Sequence, residues 1–314
     1  MSSSRSNCRQ TIRYCGVFVL LFLYSIAAFS DESGASSDYQ RLFSKYQTIR
    51  TELLTNQYSA PVFIQSDFQE DMTSGEVYAL VDHGFEKVAA NLGSSGQWCD
   101  VVLLHINVKG CDVGAGIDAP DQLTLYVGRR YYQTPDEASE IQYQFHNVSK
   151  THDYMHVDLT AANGPFGTSD YLLTFEVIPV NTESSFIHFK YAYHYGFMAK
   201  LAIDGYLATI GRHKVGFTIK EYDKENQPVY IQGLQGIVER NSMRYFLAIR
   251  SFLDTVTLGQ YEWDNRINHW YELAKGFERQ FIEVREKEYI DTKRKEFLNR
   301  EEMLRTAALK SNSS

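Results

Sequence analysis

The chain has 314 residues, of which 44% are hydrophobic and 22% are charged, and its formal net charge at pH 7 is −8. These proportions are ordinary for a globular protein. The acidic balance disfavours nucleic acid and anionic membrane surfaces as partners. The 22 tyrosines, 19 phenylalanines and 3 tryptophans make up an aromatic share of 14%. This aromatic content is typical of β-sheets and of the walls of half-wet cavities.

The first thirty residues have the pattern of a secretion signal. Arg5, Arg9 and Arg13 give a positive start, the stretch 14–29 is almost wholly apolar, and Ala28-Phe29-Ser30 fits the cleavage rule. We therefore expect a cleaved signal peptide and a periplasmic or secreted mature protein, whose net charge changes from −8 to −11 because three arginines are lost. An uncleaved membrane anchor is the alternative. No later stretch has the length and apolarity of a membrane span.

Two of the four cysteines, Cys8 and Cys15, lie inside the predicted signal. Cys99 and Cys111 remain, and an even pair in an exported chain most simply forms a disulfide. The bond would close a loop of about 13 residues, worth about 2–3 kcal/mol in the loop-entropy model. Two buried free thiols are the alternative.

The chain up to residue 122 alternates between helical and extended patterns. A helix is predicted over Asp38–Asn56, as part of an N-terminal arm covering residues 31–74, followed by a short strand at Val62-Phe63-Ile64. Glu76–Asp82 is typical of a strand and His83–Leu92 of a helix. Gly110–Asp121, rich in glycine and aspartate, is predicted to be a loop.

Five extended segments follow in which apolar and polar residues alternate. They are Leu123–Tyr132, Ile141–Val148, Asp153–Ala161, Tyr171–Val180 and Phe186–Tyr195. A period of two with short polar turns indicates an antiparallel sheet with one buried face. In the last segment the histidines oppose the aromatic face, so we expect them to meet solvent.

The C-terminal third is mainly helical. Phe197–Ile210 and Ile237–Thr255 are predicted helices, with a hairpin between them. From Glu262 to Arg305 the helical pattern becomes increasingly charged, which is typical of a solvated, ion-paired surface.

The order of strand, helices, antiparallel strands and long helix resembles the helix-grip fold of START-like lipid-transfer and polyketide-cyclase domains. This resemblance covers residues 75–211 and implies an α+β fold in which a curved antiparallel sheet grips a long helix. An N-terminal helix and extra C-terminal helices, within residues 212–314, would surround it. The gripping helix could be Phe197–Ile210 or Ile237–Thr255.

Three stretches resemble an uncharacterised family of exported proteobacterial proteins. They are Gln97-Trp98-Cys99-Asp100, Gly211-Arg212-His213-Lys214-Val215-Gly216-Phe217-Thr218 and Glu239-Arg240-Asn241-Ser242-Met243-Arg244-Tyr245. This second resemblance supports the predicted location and implies no chemistry.

A ligand cavity is predicted beneath the sheet. Its expected lining is the aromatic face formed by Tyr143, Phe145, Phe175, Phe189, Tyr191 and Tyr193. The alternative is that these rings only fill a core. Arg240 and Arg244, one turn apart, are predicted to hold an anionic head group at the cavity mouth, and helix-start electrostatics on a solvated face is the alternative.

No motif in the sequence predicts catalysis. The Gly-x-Ser-x-Gly elbow and the phosphate-binding Gly-Lys-Ser/Thr are missing from the sequence, and neither a metal nor a cofactor is predicted. We therefore expect an exported binding protein for a hydrophobic or amphipathic small molecule such as a lipid. The alternative is a non-catalytic envelope protein that meets a protein partner through its C-terminal helices.

Overall fold

The computed structural model describes residues 32–58, 60–114, 121–209, 211–256, 262–281 and 283–311, so the predicted signal peptide lies outside the described residues. The helices are α1 (Glu32–Leu54), α2 (Phe85–Leu92), α3 (Ser95–Val102), α4 (Phe197–Ala208), α5 (Gly233–Thr255), α6 (Glu262–Lys275), α7 (Glu278–Phe281) and α8 (Glu286–Ser311). The strands are β1 (Val62–Phe68), β2 (Met72–Val81), β3 (Val108–Val113), β4 (Gln122–Val127), β5 (Ser139–Lys150), β6 (Met155–Asn163), β7 (Thr168–Pro179), β8 (Ser185–Tyr195), β9 (Ile219–Tyr222) and β10 (Pro228–Tyr230).

Strands β1 to β8 form one antiparallel sheet in the order β1-β2-β8-β7-β6-β5-β4-β3. The register of β8 with β7 places Tyr191 opposite Leu173 and Phe189 opposite Phe175, so the apolar residues of neighbouring strands share one face. The ladders are irregular at three places, in β3, β5 and β7. Bulges of this kind bend strands and increase their twist, which is how so long a sheet becomes curved.

The five segments with alternating residues are strands β4 to β8, as predicted. Strand β3, in contrast, was not predicted over its full length. Residues 110–113 were expected to belong to a loop and instead end a strand at the edge of the sheet. Lys109 interrupts the apolar pattern of this strand, yet its side chain is wholly buried against Glu296 of α8 at 2.9 Å. Because Glu296 is distant from Lys109 in the sequence, no local pattern predicts that Lys109 is buried.

Helix α5 lies in the concave face of the sheet, so it is the gripping helix. Sixteen of its 23 residues are buried. It approaches β2 closely at Gly75, where an added Cβ would lie 2.6 Å from Ser242 Oγ and 3.0 Å from the Val238 carbonyl oxygen. Ser242 donates a hydrogen bond to the Gly75 carbonyl oxygen at 2.9 Å. Sheet and helix are therefore in backbone contact.

Helix α1 covers part of the opposite, convex face. His188 was expected to meet solvent, and that expectation is wrong because this side chain is only 5% exposed. Its ring lies between Glu176 (Nδ1 to Oε2, 2.6 Å) and Glu76 (Nε2 to Oε2, 3.3 Å). Arg41 of α1 also pairs with Glu176. The convex face thus carries a buried polar layer beneath α1.

Helix α4, the other candidate for the gripping helix, lies at the surface with Phe197, Met198 and Leu201 exposed. The C-terminal helices, by contrast, pack onto the main core. Trp270 of α6 stacks on Tyr289 of α8, with 4.7 Å between ring centroids. These aromatic residues of α6 and α8 therefore pack against each other within the chain.

Cys99 of α3 and Cys111 of β3 form a disulfide, with their Cα atoms 5.3 Å apart. This bond fastens the helical segment 85–102 to the far edge of the sheet. None of the helices within the described residues is both long and apolar enough to cross a membrane. The predicted fold class is confirmed: an α+β fold in which a curved antiparallel sheet packs around a long helix, with an N-terminal helix and additional C-terminal helices.

Candidate functional site

A cleft of about 580 Å³ opens where α5, the end of β4 and the C-terminal segment meet. Five basic side chains and a single acidic one line it. The lining residues of this cationic cleft are Asn107, Gly128, Arg129, Arg130, Tyr131, Tyr206, Lys214, Ile237, Arg240, Asn241, Arg244 and Glu283. Such an excess of positive charge stands out on a chain whose net charge is −8.

Three of these cations meet one carboxylate. Glu283 accepts from Lys214 Nζ at 2.9 Å and from Arg244 Nη2 at 2.9 Å, and it also pairs with Arg240. Burial alone would raise the pKa of Glu283, but Arg244, Arg240 and Lys214 outweigh burial and lower the pKa to about 2. This cluster of four side chains keeps a net positive charge of two at neutral pH.

The Arg240 guanidinium is not fully satisfied by the protein. Its side chain is 4% exposed, and its Nε has no hydrogen-bond partner among the described residues. Burial and the neighbouring Arg244 lower the pKa of Arg240 to about 10. A buried donor without a partner is costly, and a guanidinium suits carboxylate, sulfonate or phosphate groups. The cleft can therefore accept an anionic group.

Glu239 fixes the position of α5 next to this cleft. Its carboxylate is wholly buried and accepts four hydrogen bonds, from the backbone N–H groups of Phe217 and Thr218, from the Thr218 hydroxyl and from Ser66 of β1, at 2.6 to 2.9 Å. An added Cβ at Gly216 would lie 2.6 Å from Glu239 Oε2. Two of the sequence stretches noted above, around residues 216 and 239, are thus joined by one carboxylate.

A second, smaller cavity of about 150 Å³ lies between the sheet and α5. Four tyrosines and one histidine contribute to it. The lining residues of this tyrosine chamber are His105, Asn107, Val108, Val127, Gly128, Ile141, Tyr143, Pro165, Tyr171, Tyr191, Asn241 and Tyr245. Asn107, Gly128 and Asn241 line the chamber and the cationic cleft alike, so the two spaces share a rim.

Four of the eight predicted cavity residues line one of the two spaces, and four do not. Tyr143 and Tyr191 line the tyrosine chamber, and Arg240 and Arg244 line the cationic cleft. The other four predicted residues are buried in the core and line neither space: Phe145, Phe175, Phe189 and Tyr193. Phe175, for example, packs edge-on against Trp98. Helices α2, α3 and α5 pack against the sheet, and the tyrosine chamber is the space that remains between the sheet and α5.

Sequence reasoning missed His105, Tyr245 and Glu283. His105 stacks on Tyr245 with 4.5 Å between ring centroids, although 140 positions separate them in the sequence. Tyr245 ends one of the stretches singled out above, so its position next to Arg244 was the available signal. Glu283 follows α7 in a segment where charged residues are frequent, and nothing local distinguishes it.

The histidine–carboxylate pairs of the molecule lie away from both spaces. His83 contacts Asp254 at 2.6 Å and His156 contacts Asp158 at 3.1 Å. His105, in the chamber, has no carboxylate partner among the residues that the structure describes. Within the same residues, no group of three or more His, Cys, Asp and Glu side chains is arranged to hold a metal ion.

No protein-family model matches the chain, and no curated protein does. Solved structures match part of it. A START superfamily protein from Mycobacterium smegmatis is 14% identical, with a TM-score of 0.30, over 45% of this chain and 92% of that one. A conserved protein from Geobacillus kaustophilus is 12% identical, with a TM-score of 0.34, over 58% and 95%. Norcoclaurine synthase from Thalictrum flavum is 16% identical, with a TM-score of 0.31, over 50% and 86%.

Proposed function

We propose that this chain is an exported binding protein for an amphipathic small molecule. The anionic group of the ligand would occupy the cationic cleft, and its less polar part would enter the tyrosine chamber. One observation carries the proposal: a strongly cationic space and an aromatic space meet at a common rim of Asn107, Gly128 and Asn241. A ligand spanning that rim would meet charge at one end and rings at the other.

The cationic half is the more specific one. Arg240 and Arg244 project from successive turns of α5, and only one carboxylate faces them in the cleft lining. A guanidinium binds a planar anion through two parallel N–H groups, which gives orientation as well as affinity. A ligand anion would thus complete a cluster whose own carboxylate compensates only part of the charge.

The aromatic half, the tyrosine chamber, would bury the less polar part of the ligand. Tyrosine rings bury large areas while their hydroxyls provide a few polar contacts, which is the usual lining of a small-molecule site. Each CH₂ group of a ligand that leaves water contributes about 0.8 kcal/mol. No covalent step is needed for such a function.

Export is part of the proposal. The N-terminal pattern of arginines, apolar run and small residues supports it, and so does the Cys99–Cys111 disulfide. Disulfides of this structural kind persist mainly in oxidising compartments outside the cytoplasm.

The test uses 8-anilinonaphthalene-1-sulfonate, an anionic aromatic probe that fluoresces when it leaves water. We expect saturable binding to the folded protein. Arg244→Met should weaken it about tenfold or more, because one charged hydrogen bond to the anion is lost. Arg250→Met is the matched control. Arg250 belongs to the same helix but pairs with Asp254 at 3.6 Å and does not line the cleft, so its loss should leave binding unchanged.

Circular dichroism of both variants establishes that they are folded. Non-saturable binding, or equal affinity of the wild type and Arg244→Met, would contradict the proposal. Weaker binding by both arginine variants alike would indicate an effect of net charge rather than of the cleft.

A further inference from the structure

The tyrosine chamber contains four polar groups without protein partners. His105 Nε2 is buried and unpaired, and the hydroxyls of Tyr143, Tyr191 and Tyr245 make no hydrogen bond with any described residue. The hydroxyl of Tyr171, in contrast, bonds to Thr168 Oγ1 at 2.7 Å. About 90% or more of buried polar groups are paired, so the unpaired, wholly buried His105 Nε2 is unusual. Together with three tyrosines of the same lining whose hydroxyls have no partner among the described residues, it indicates a polar occupant.

The protonation of these groups sets the chemistry of that occupant. His105 Nδ1 accepts the backbone N–H of Asn107 at 3.2 Å, which assigns the ring proton to Nε2. Burial lowers the pKa of His105 well below 6.5, so the ring is neutral and Nε2 is a donor. Burial likewise raises the pKa of Tyr143 and Tyr191 well above 10, so their hydroxyls stay protonated. The chamber therefore offers several donors to one acceptor.

The size of the chamber limits the shape of the occupant. A dry cavity of about 150 Å³ holds one benzene molecule in an engineered protein, and the chamber has this volume. Arg244 of the cleft and Tyr245 of the chamber are consecutive residues of α5. Their side chains diverge around the helix, but the chamber and the cleft share Asn107, Gly128 and Asn241, so a short link can join an anion in the cleft to a ring in the chamber.

We propose that the ligand is a compact anion with a single ring that carries a hydroxyl or carbonyl oxygen, and that this ring sits in the tyrosine chamber. The inference rests on the proposed function, since it places the anionic group in the cationic cleft. It narrows that function, because a long alkyl chain would leave the donors of His105, Tyr143, Tyr191 and Tyr245 unpaired.

Three carboxylate probes separate these ligand classes by isothermal titration calorimetry of the folded protein. They are 3-(4-hydroxyphenyl)propanoate, 3-phenylpropanoate and octanoate. We expect the hydroxyphenyl acid to bind at least about tenfold more tightly than either of the others, since only it offers oxygen to the chamber. Tyr191→Phe should reduce that preference several-fold. Tyr193→Phe, a matched change of a buried tyrosine that does not line the chamber, should preserve it.

The following results of the titrations would contradict the inference. Equal affinities for the three acids, or tighter binding of octanoate, would show that the unpaired groups serve ordered water only. Failure of all three acids to bind would refute the inference, while the proposed function would stand if the naphthalene sulfonate still bound in an Arg244-dependent way. Loss of that binding too would refute both.

Discussion

Replacing Glu283 by glutamine should have two effects of opposite sign. The carboxylate is held by Lys214, Arg240 and Arg244, and its pKa is about 2 instead of 4.5. That difference corresponds to about 3 kcal/mol in favour of the folded, charged form. We therefore expect Glu283→Gln to lower the free energy of unfolding by about 3 kcal/mol at pH 7. At the same time the cleft gains one uncompensated positive charge.

The second effect is tighter anion binding. Because the ligand anion and Glu283 would contact the same arginines, removing the repulsion between them should raise the affinity by about tenfold or more, which is about 1.4 kcal/mol. Affinity for 8-anilinonaphthalene-1-sulfonate should rise by this order. A variant that was merely misfolded would instead lose saturable binding, so the opposite signs distinguish an electrostatic role from general damage.

Urea unfolding followed by circular dichroism, at pH 7 and at pH 3, measures the first effect. The stabilisation from Glu283 is fully present above pH 4.5 and is lost as pH falls towards 2, because its folded-state pKa is depressed. Wild type and variant should therefore converge at low pH. Glu286→Gln is the control, since this residue pairs with Lys275 at an exposed position and should change stability by less than about 1 kcal/mol.

Either of two results would refute this reasoning. If Glu283→Gln were as stable as the wild type at pH 7, the cluster would not hold the charged carboxylate as the distances indicate. If stability fell but anion affinity stayed constant or decreased, the ligand would not occupy the cationic cleft.

Three further changes test the fold. Gly75→Ala should cost about 1–3 kcal/mol in urea unfolding because its Cβ meets α5, whereas Gly96→Ala, with open space in helix α3, should be neutral or stabilising. Equal effects would contradict the close approach. Cys99→Ser should cost about 2–3 kcal/mol by opening a 13-residue loop, which thermal unfolding with and without reductant can check. Burial alone would lower the pKa of His188, but Glu176 and Glu76 outweigh burial and raise the pKa above 6.5, so wild-type stability should decline as pH rises through that folded-state pKa. His188→Gln should flatten this decline, and an unchanged pH profile would exclude the proposed coupling.

The sheet was largely predictable because its signal is local. In β8 the residues Ile187, Phe189 and Tyr191 alternate with His188 and Lys190, and a half-buried strand requires this period. The same parity correctly placed His188 opposite the aromatic face. It said nothing about what covers that face, because the contact with α1 joins segments more than a hundred residues apart.

The candidate site was predictable only in part, for the same reason. Arg240 and Arg244 share a helix, so their proximity follows from one turn of backbone. Glu283 reaches them across a separation of 43 and 39 positions. The chamber likewise depends on where the curved sheet departs from α5, and the identity of the aromatic residues did not distinguish Tyr191 at the chamber from Phe175 in the core.

Two buried cation clusters in this molecule differ in how completely the protein itself satisfies them. Lys109 and Lys293 share Glu296, and each ammonium also donates to backbone carbonyl oxygens at 2.6 to 2.9 Å, so this cluster is satisfied by the protein itself. Around Glu283 there are three cations to one carboxylate, and Arg240 Nε has no partner among the described residues. Buried ion pairs seldom stabilise a fold more than apolar residues of the same volume would. The open, undercompensated cluster next to the aromatic chamber therefore supports the proposed anion site, whereas a purely structural role would favour a satisfied cluster such as that of Glu296.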